Sequence, residues 1–142
     1  MTVEEKEELR RELSRDRRWW QNKLDSYDDD YTNLVDAEDE ICQAMVIIED
    51  TDSLSTTLNT EFDDIWTLAT TDIVPGFESL FDFSKEKEEN SSISQETTSL
   101  YSQCEKICQS IDDAKGEISK KIKDAQEHVD YYNQRIEQLN YM

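Results

Sequence analysis

Apolar side chains recur along the first third of the chain at alternating steps of four and three. Leu13, Arg17, Trp20, Leu24, Tyr27, Tyr31, Leu34, Glu38, Ile41, Met45 and Ile48 form the series, and nine of these eleven are apolar or aromatic. Such spacing keeps one stripe turned toward a partner helix, so the series predicts a long helix over about 3–50 with a heptad seam. Arg17 and Glu38 interrupt the stripe and are expected to set register or to lie where it is less buried. Thr2 followed by Glu5 fits a capping box at the helix start.

A second series runs through Ile93, Thr97, Leu100, Cys104, Ile107, Ile111, Ala114 and Ile118. After an extra step of four it resumes at Ile122, Ala125, Val129, Tyr132, Ile136 and Leu139. This predicts a return helix over about 93–140, its supercoil locally unwound at the 11-residue step. Gly116 falls off the series, where its cost of about 1 kcal/mol relative to Ala is tolerable.

Residues 51–90 differ in kind. All four Phe lie within 62–83, and Pro75-Gly76 is the one strong turn signal. Leu54, Leu58, Phe62, Ile65 and Ala69 predict a short helix before that turn, and Phe77, Leu80 and Phe81 a helical turn after it. The expected fold is all-α, an antiparallel hairpin of two long helices with a short aromatic-rich helical head. It forms one elongated domain over 1–142, which a homodimer would double into a four-helix bundle. With the head as the bend, residues 25–50 are expected to lie opposite roughly 92–117.

Composition sharpens this picture. The 142 residues include 35 acids and 15 bases, a formal net charge of −20. Residues 1–24 carry net +1, residues 25–82 carry 17 acids without a Lys or Arg, and residues 83–142 carry net −4. Such a balance argues against nucleic acid, which needs a basic footprint. It suits either a solvated face or a docking surface for a basic protein. Asp28, Asp29 and Asp30 form its densest run. Because 92–117 is itself net −3, neutralisation within the hairpin is not expected. No apolar run approaches the length of a membrane span, and no signal-peptide pattern opens the chain. Three cysteines in that context suggest a reducing cytoplasm rather than a disulfide scaffold.

Chemistry-bearing patterns are few. His128 is the single histidine, and with Asp124 at i,i+4 it makes at most half of a metal site; a solvated flank is the expected role. Cys42 could approach Cys104 or Cys108, with core packing favoured over a metal or redox role. Calcium-loop, P-loop and nucleophile-elbow patterns are lacking. The chain is expected to be no enzyme, with no cofactor and no metal. Trp19-Trp20 is the most pointed feature of the first helix: consecutive helical residues diverge by about 100°, so only Trp20 can enter the seam. Trp19 is then a wide-core residue, a dimer contact or a hot spot for another protein.

Two long helices, a short head and an aromatic residue before the turn resemble the small helical-hairpin proteins of bacterial type VII secretion. Those carry Trp-x-Gly at the bend, and some are accessory partners of LXG-domain toxins. The matching stretch is Glu61-Phe62-Asp63-Asp64-Ile65-Trp66. Here Trp66 is followed by Thr67-Leu68, and the nearest turn glycine is Gly76. The family's C-terminal Tyr-x-x-x-Asp/Glu signal is absent from the tail, Tyr101 and Glu105 matching it only in mid-helix. The resemblance implies a cytoplasmic adaptor or targeting chaperone that escorts a toxin to a secretion machine. Partner contacts are expected at Phe62, Trp66, Phe77 and Phe81 in the head, at Trp19 and Trp20, and at Asp28, Asp29 and Asp30. The partner would be a helical region of another protein, with a homodimer as a further arrangement. The competing reading is an acidic inhibitor, an immunity protein or DNA mimic, occupying a basic surface of its target.

Overall fold

The computed structural model describes residues 1–72 and 82–142, all of whose regular structure is helical: α1 spans Val3–Asp72 and α2 spans Ser84–Asn140. The two pack against each other as a hairpin, as expected. Phe77, Leu80, Phe81 and the Pro75-Gly76 turn lie outside the described residues. Each helix extends beyond its apolar series. α1 continues some twenty residues past Ile48, and α2 begins nine residues before Ile93.

Local signals explain both starts. The Thr2 backbone N–H donates to the Glu5 carboxylate at 2.7 Å, and the Glu5 N–H donates to the Thr2 hydroxyl oxygen at 3.1 Å, the reciprocal capping box. At α2 the Phe83 carbonyl accepts the first helical bond from Lys87, 2.8 Å. The Asp82 carboxylate accepts from the Ser84 backbone N–H at 3.0 Å. Hydrogen bonds from the Ser84 hydroxyl and N–H hold the Asp82 carboxyl below its usual range.

Contacts divide the chain into two compact units, residues 1–38 with 110–142, and residues 39–109. In the first, Leu13, Leu24, Ile111, Ala125, Val129 and Leu139 form a buried apolar core. In the second the seam keeps Ile41, Met45 and Ile48 half-buried and turns polar beyond them. On α1 it continues at the same 4,3 spacing through Asp52, Ser55, Asn59 and Phe62, each buried or half-buried. On α2 it runs Asn90, Ser94, Thr97, Tyr101, Cys104 and Cys108.

Two expectations are corrected here. The α2 seam has no extra step: Ser94, Tyr101, Cys108 and Lys115 face inward, and Ile93, Leu100 and Ile107, one position earlier, are exposed. The 4,3 alternation then runs unbroken from Phe83 to Leu139. Register also differs, by one heptad. Within the first unit Arg17 donates to Asn133, Trp20 stacks on His128 and Lys121 lies over Tyr27. Within the second, Asn59 meets Asn90 and Asp52 meets Thr97. Residues 25–38 therefore come level with about 111–124, where Lys115, Lys120, Lys121 and Lys123 equal the four acids in number. Residues 25–38 themselves carry six acids and no base, so the two stretches together remain net −6 and the acids of α1 are not neutralised.

Candidate functional site

Position in the heptad decides which side chains the second unit buries and which it leaves outside. Counting a and d as seam positions, Asp52 and Asn59 occupy a on α1 and Ser55 occupies d. Asp52 accepts hydrogen bonds from the Ser94 hydroxyl and, at 3.4 Å, from the Thr97 hydroxyl. The Asn90 amide donates to the Asn59 carbonyl oxygen at 3.3 Å. Glu49 accepts a hydrogen bond from the Tyr101 hydroxyl, which raises the phenol pKa because the neutral form is the donor. Lys87 pairs with Asp63, and the Cys108 Sγ lies 3.9 Å from the Met45 sulfur. Among the described residues Ser55 and Thr97 are the buried ones of this unit, and none of the buried apolar side chains belongs to it.

Apart from the half-buried Ile41, Met45, Ile48, Phe62 and Phe83, its large apolar residues among the described ones stand outside. On α1, Ile47, Leu54 and Leu68 occupy c, and Leu58 and Ile65 occupy g; Leu54 is 60% and Leu68 58% exposed. On α2, Ile93, Leu100 and Ile107 all occupy g and are 41–48% exposed. In an antiparallel pair the g positions of both helices flank the same side of the seam, with c beside them. These side chains therefore share one face. The opposite face, built from e and b positions, is rich in Ser and Thr and carries Val46 as its exposed large aliphatic residue.

Among the described residues both faces carry acid without a Lys or Arg, the e and b positions holding Asp39, Glu49, Asp63, Glu88 and Glu105. The c and g positions of the second unit's described helices hold Glu40, Glu61, Glu86, Glu89 and Glu96 and no Lys or Arg. The arrangement is an apolar stripe with an acidic rim.

The expected contact residues fall in different places. Phe62 stacks on Phe83, ring centroids 4.7 Å apart, and a cleft lined by Phe62, Asp63, Trp66, Phe83 and Lys87 opens beside them. Trp66 is exposed at its rim. Phe77 and Phe81 are outside the described residues. Trp19 and Trp20 belong to the first unit, where they meet edge to face at 4.9 Å. Trp20 is half-buried and stacks on His128 at 3.7 Å. His128 thus lies on the flank with its side chain 39% exposed, one ring face against Trp20 and its Nδ1 2.8 Å from the Asp124 carbonyl oxygen. Trp19 is exposed, with Lys23 5.3 Å above its ring. Asp28, Asp29 and Asp30 are all exposed in the first unit. Cys42 is exposed, Cys104 and Cys108 are half-buried on the seam, and all three are thiols.

Sequence reasoning missed the stripe itself. Its signal was the seven-residue spacing of Ile93, Leu100 and Ile107, which a seam and an outward face share. Phe83, too, was marked only by the 4,3 spacing extended backwards. Among the described residues no group of three His, Cys, Asp or Glu is placed to hold a metal ion, and no helix is long and apolar enough to cross a membrane. No family model, curated protein or solved structure matches the chain.

Proposed function

We propose that this chain is a non-enzymatic helical adaptor that holds another protein against the exposed face of its second unit. One observation carries the reading: between Asp52 and Asn59 on α1 and between Asn90 and Tyr101 on α2 the seam is polar, while Leu54, Leu58, Ile65, Leu68, Ile93 and Leu100 stand outside it. Apolar area left in water is unfavourable by about 25 cal/mol per Å². A contiguous stripe rimmed by charge is the usual form of a protein contact surface. Polar seam residues meanwhile fix register at some cost in stability. Such a hairpin gains stability when a partner covers it. The resemblance to type VII accessory proteins supports a finer proposal, that the partner is the helical N-terminal region of a secreted LXG toxin.

Co-expression with the products of the adjacent genes tests the adaptor reading. A complex of defined stoichiometry that survives about 1 M salt, where screening acts within about 3 Å, supports it. Elution of the chain alone with every neighbour would refute it. A complex that dissolves on modest addition of salt points instead to the acidic-inhibitor reading, in which charge alone makes the contact.

A further inference from the structure

Resting on the adaptor reading, we infer that the c/g face of the second unit receives an amphipathic helix with Lys or Arg along both flanks of its apolar stripe. Three observations select this occupant.

The first is repeat length. Ile93, Leu100 and Ile107 recur every seven residues on α2, and Ile47 with Leu54 and Leu58 with Ile65 do so on α1. Side chains at that interval make holes for the knobs of a third helix, which presents its own residues at the same rise. An extended strand repeats every second residue and does not match.

The second is the rim. Glu40, Glu61, Glu86, Glu89 and Glu96 border the stripe without a compensating cation at any c or g position of the described helices. A helix with acidic or neutral flanks would leave those carboxylates beside like charge or beside nothing. One with basic flanks meets opposite charge on both edges, and the acidic field speeds its approach.

The third excludes a second copy. Residues 39–109 carry 16 acids and three bases, net −13. Face-to-face dimerisation would juxtapose two acidic rims, the arrangement that disfavours wrong partners at interfaces. The opposite face, lined by Ser53, Thr56, Thr60, Ser91 and Thr98, has little apolar area to contribute.

The test uses the full 142-residue chain and a dye-labelled 28-residue peptide with Leu at a and d and Lys at e and g. Two control peptides replace either the flanking Lys by Glu or the Leu by Ser. Fluorescence anisotropy in physiological salt should show the Lys-flanked peptide binding at least tenfold more tightly than either control. The triple substitution Leu54→Ser, Leu58→Ser, Leu100→Ser should lose tenfold or more, with helical circular dichroism retained because all three side chains are exposed. Val46→Ser, on the other face, should change nothing. Equal binding by the triple variant overturns the inference, because affinity would then be diffuse electrostatic attraction. So does equal binding of the Glu-flanked peptide, or absence of peptide binding. Sedimentation showing a dimer that the triple substitution dissociates would assign the face to a second copy and likewise overturn it. In none of these outcomes does the co-expression result change, so the adaptor reading fails or stands separately.

Discussion

Lys115 occupies an a position on α2, where its stem lies along the seam and its ammonium reaches the Glu38 carboxylate at 3.0 Å and sits 5.7 Å from the Tyr31 ring centre. The hydrogen bond to Glu38 raises the lysine pKa above its ordinary value. A group whose folded pKa is raised stabilises the fold fully below its unfolded value and loses that contribution as pH rises through the folded one. Tyr101 follows the same sign: Glu49 holds its phenol neutral, and ionisation forfeits the hydrogen bond. Both contributions are thus complete at neutral pH and fade above their ordinary values of 10.0 and 10.5. The double variant Lys115→Gln, Tyr101→Phe should therefore melt below the wild type at pH 8, with the gap narrowing as pH rises past the ordinary values. A gap that stays constant across that range would mean that neither group is held as described. Asn59 and Asn90 allow a second test. Each is half-buried, so replacing both with Leu should stabilise the chain by about 1.5–3 kcal/mol, half the value of two full burials. Either single change leaves one amide facing an alkyl chain and should gain little or lose about 1 kcal/mol. Thermal unfolding of the four-member cycle checks the coupling, and simple additivity would deny the pair.

Both long helices follow from the 4,3 spacing of Leu13 to Ile48 and of Ile111 to Leu139, because an apolar stripe at that period has one stable use. Their ends and faces were less legible. Past Ile48 the seam passes into Asp52, Ser55 and Asn59, where period survives but polarity reverses, so an apolar count stops where the helix does not. Ile93, Leu100 and Ile107 read as core because an outward stripe at heptad spacing has the same period as an inward one. Register slipped by seven because a heptad seam superposes on itself at that step; only pairs such as Glu38–Lys115 and Asn59–Asn90 distinguish the alternatives. The 51–72 stretch of α1 is also an intrinsically weak helix. Thr51, Thr56, Thr57, Thr60 and Thr67 each donate a hydroxyl to the carbonyl four residues back, a bond that slightly destabilises helices. Gly116 offers the converse lever on α2. A Cβ built there meets nothing within 4 Å, so Gly116→Ala should stabilise the chain by about 1 kcal/mol through helix propensity alone. A melting point raised by roughly 2–5 °C would agree, and a lowered one would show an unrecognised need for glycine.

Over the whole chain, the two units share helices but differ in what they bury. The first closes on Leu13, Leu24, Ile111, Ala125, Val129 and Leu139, whereas among the described residues the buried ones of the second are Ser55 and Thr97. Local stability follows buried apolar contact, and segments with few such contacts open first. Amide hydrogens of 39–68 and 84–109 should therefore exchange faster than those of 10–38 and 111–139. The expected separation is at least about tenfold, the factor that ~1.4 kcal/mol of local free energy represents. Charge acts in the same direction, since net −13 in the second unit against −7 in the first leaves more self-repulsion there. Added salt should consequently narrow the difference by screening, but it cannot supply the missing apolar contacts. A helix seated on the c/g face can. Hydrogen exchange followed by mass spectrometry, with and without the Lys-flanked peptide, separates the two effects. Peptide should slow exchange in 39–68 and 84–109 and leave 10–38 unchanged, whereas salt should act on both units in proportion to their charge. Uniform protection across the chain, or equal exchange in the two units before any addition, would show that the polar seam is not the weak point that partner binding completes.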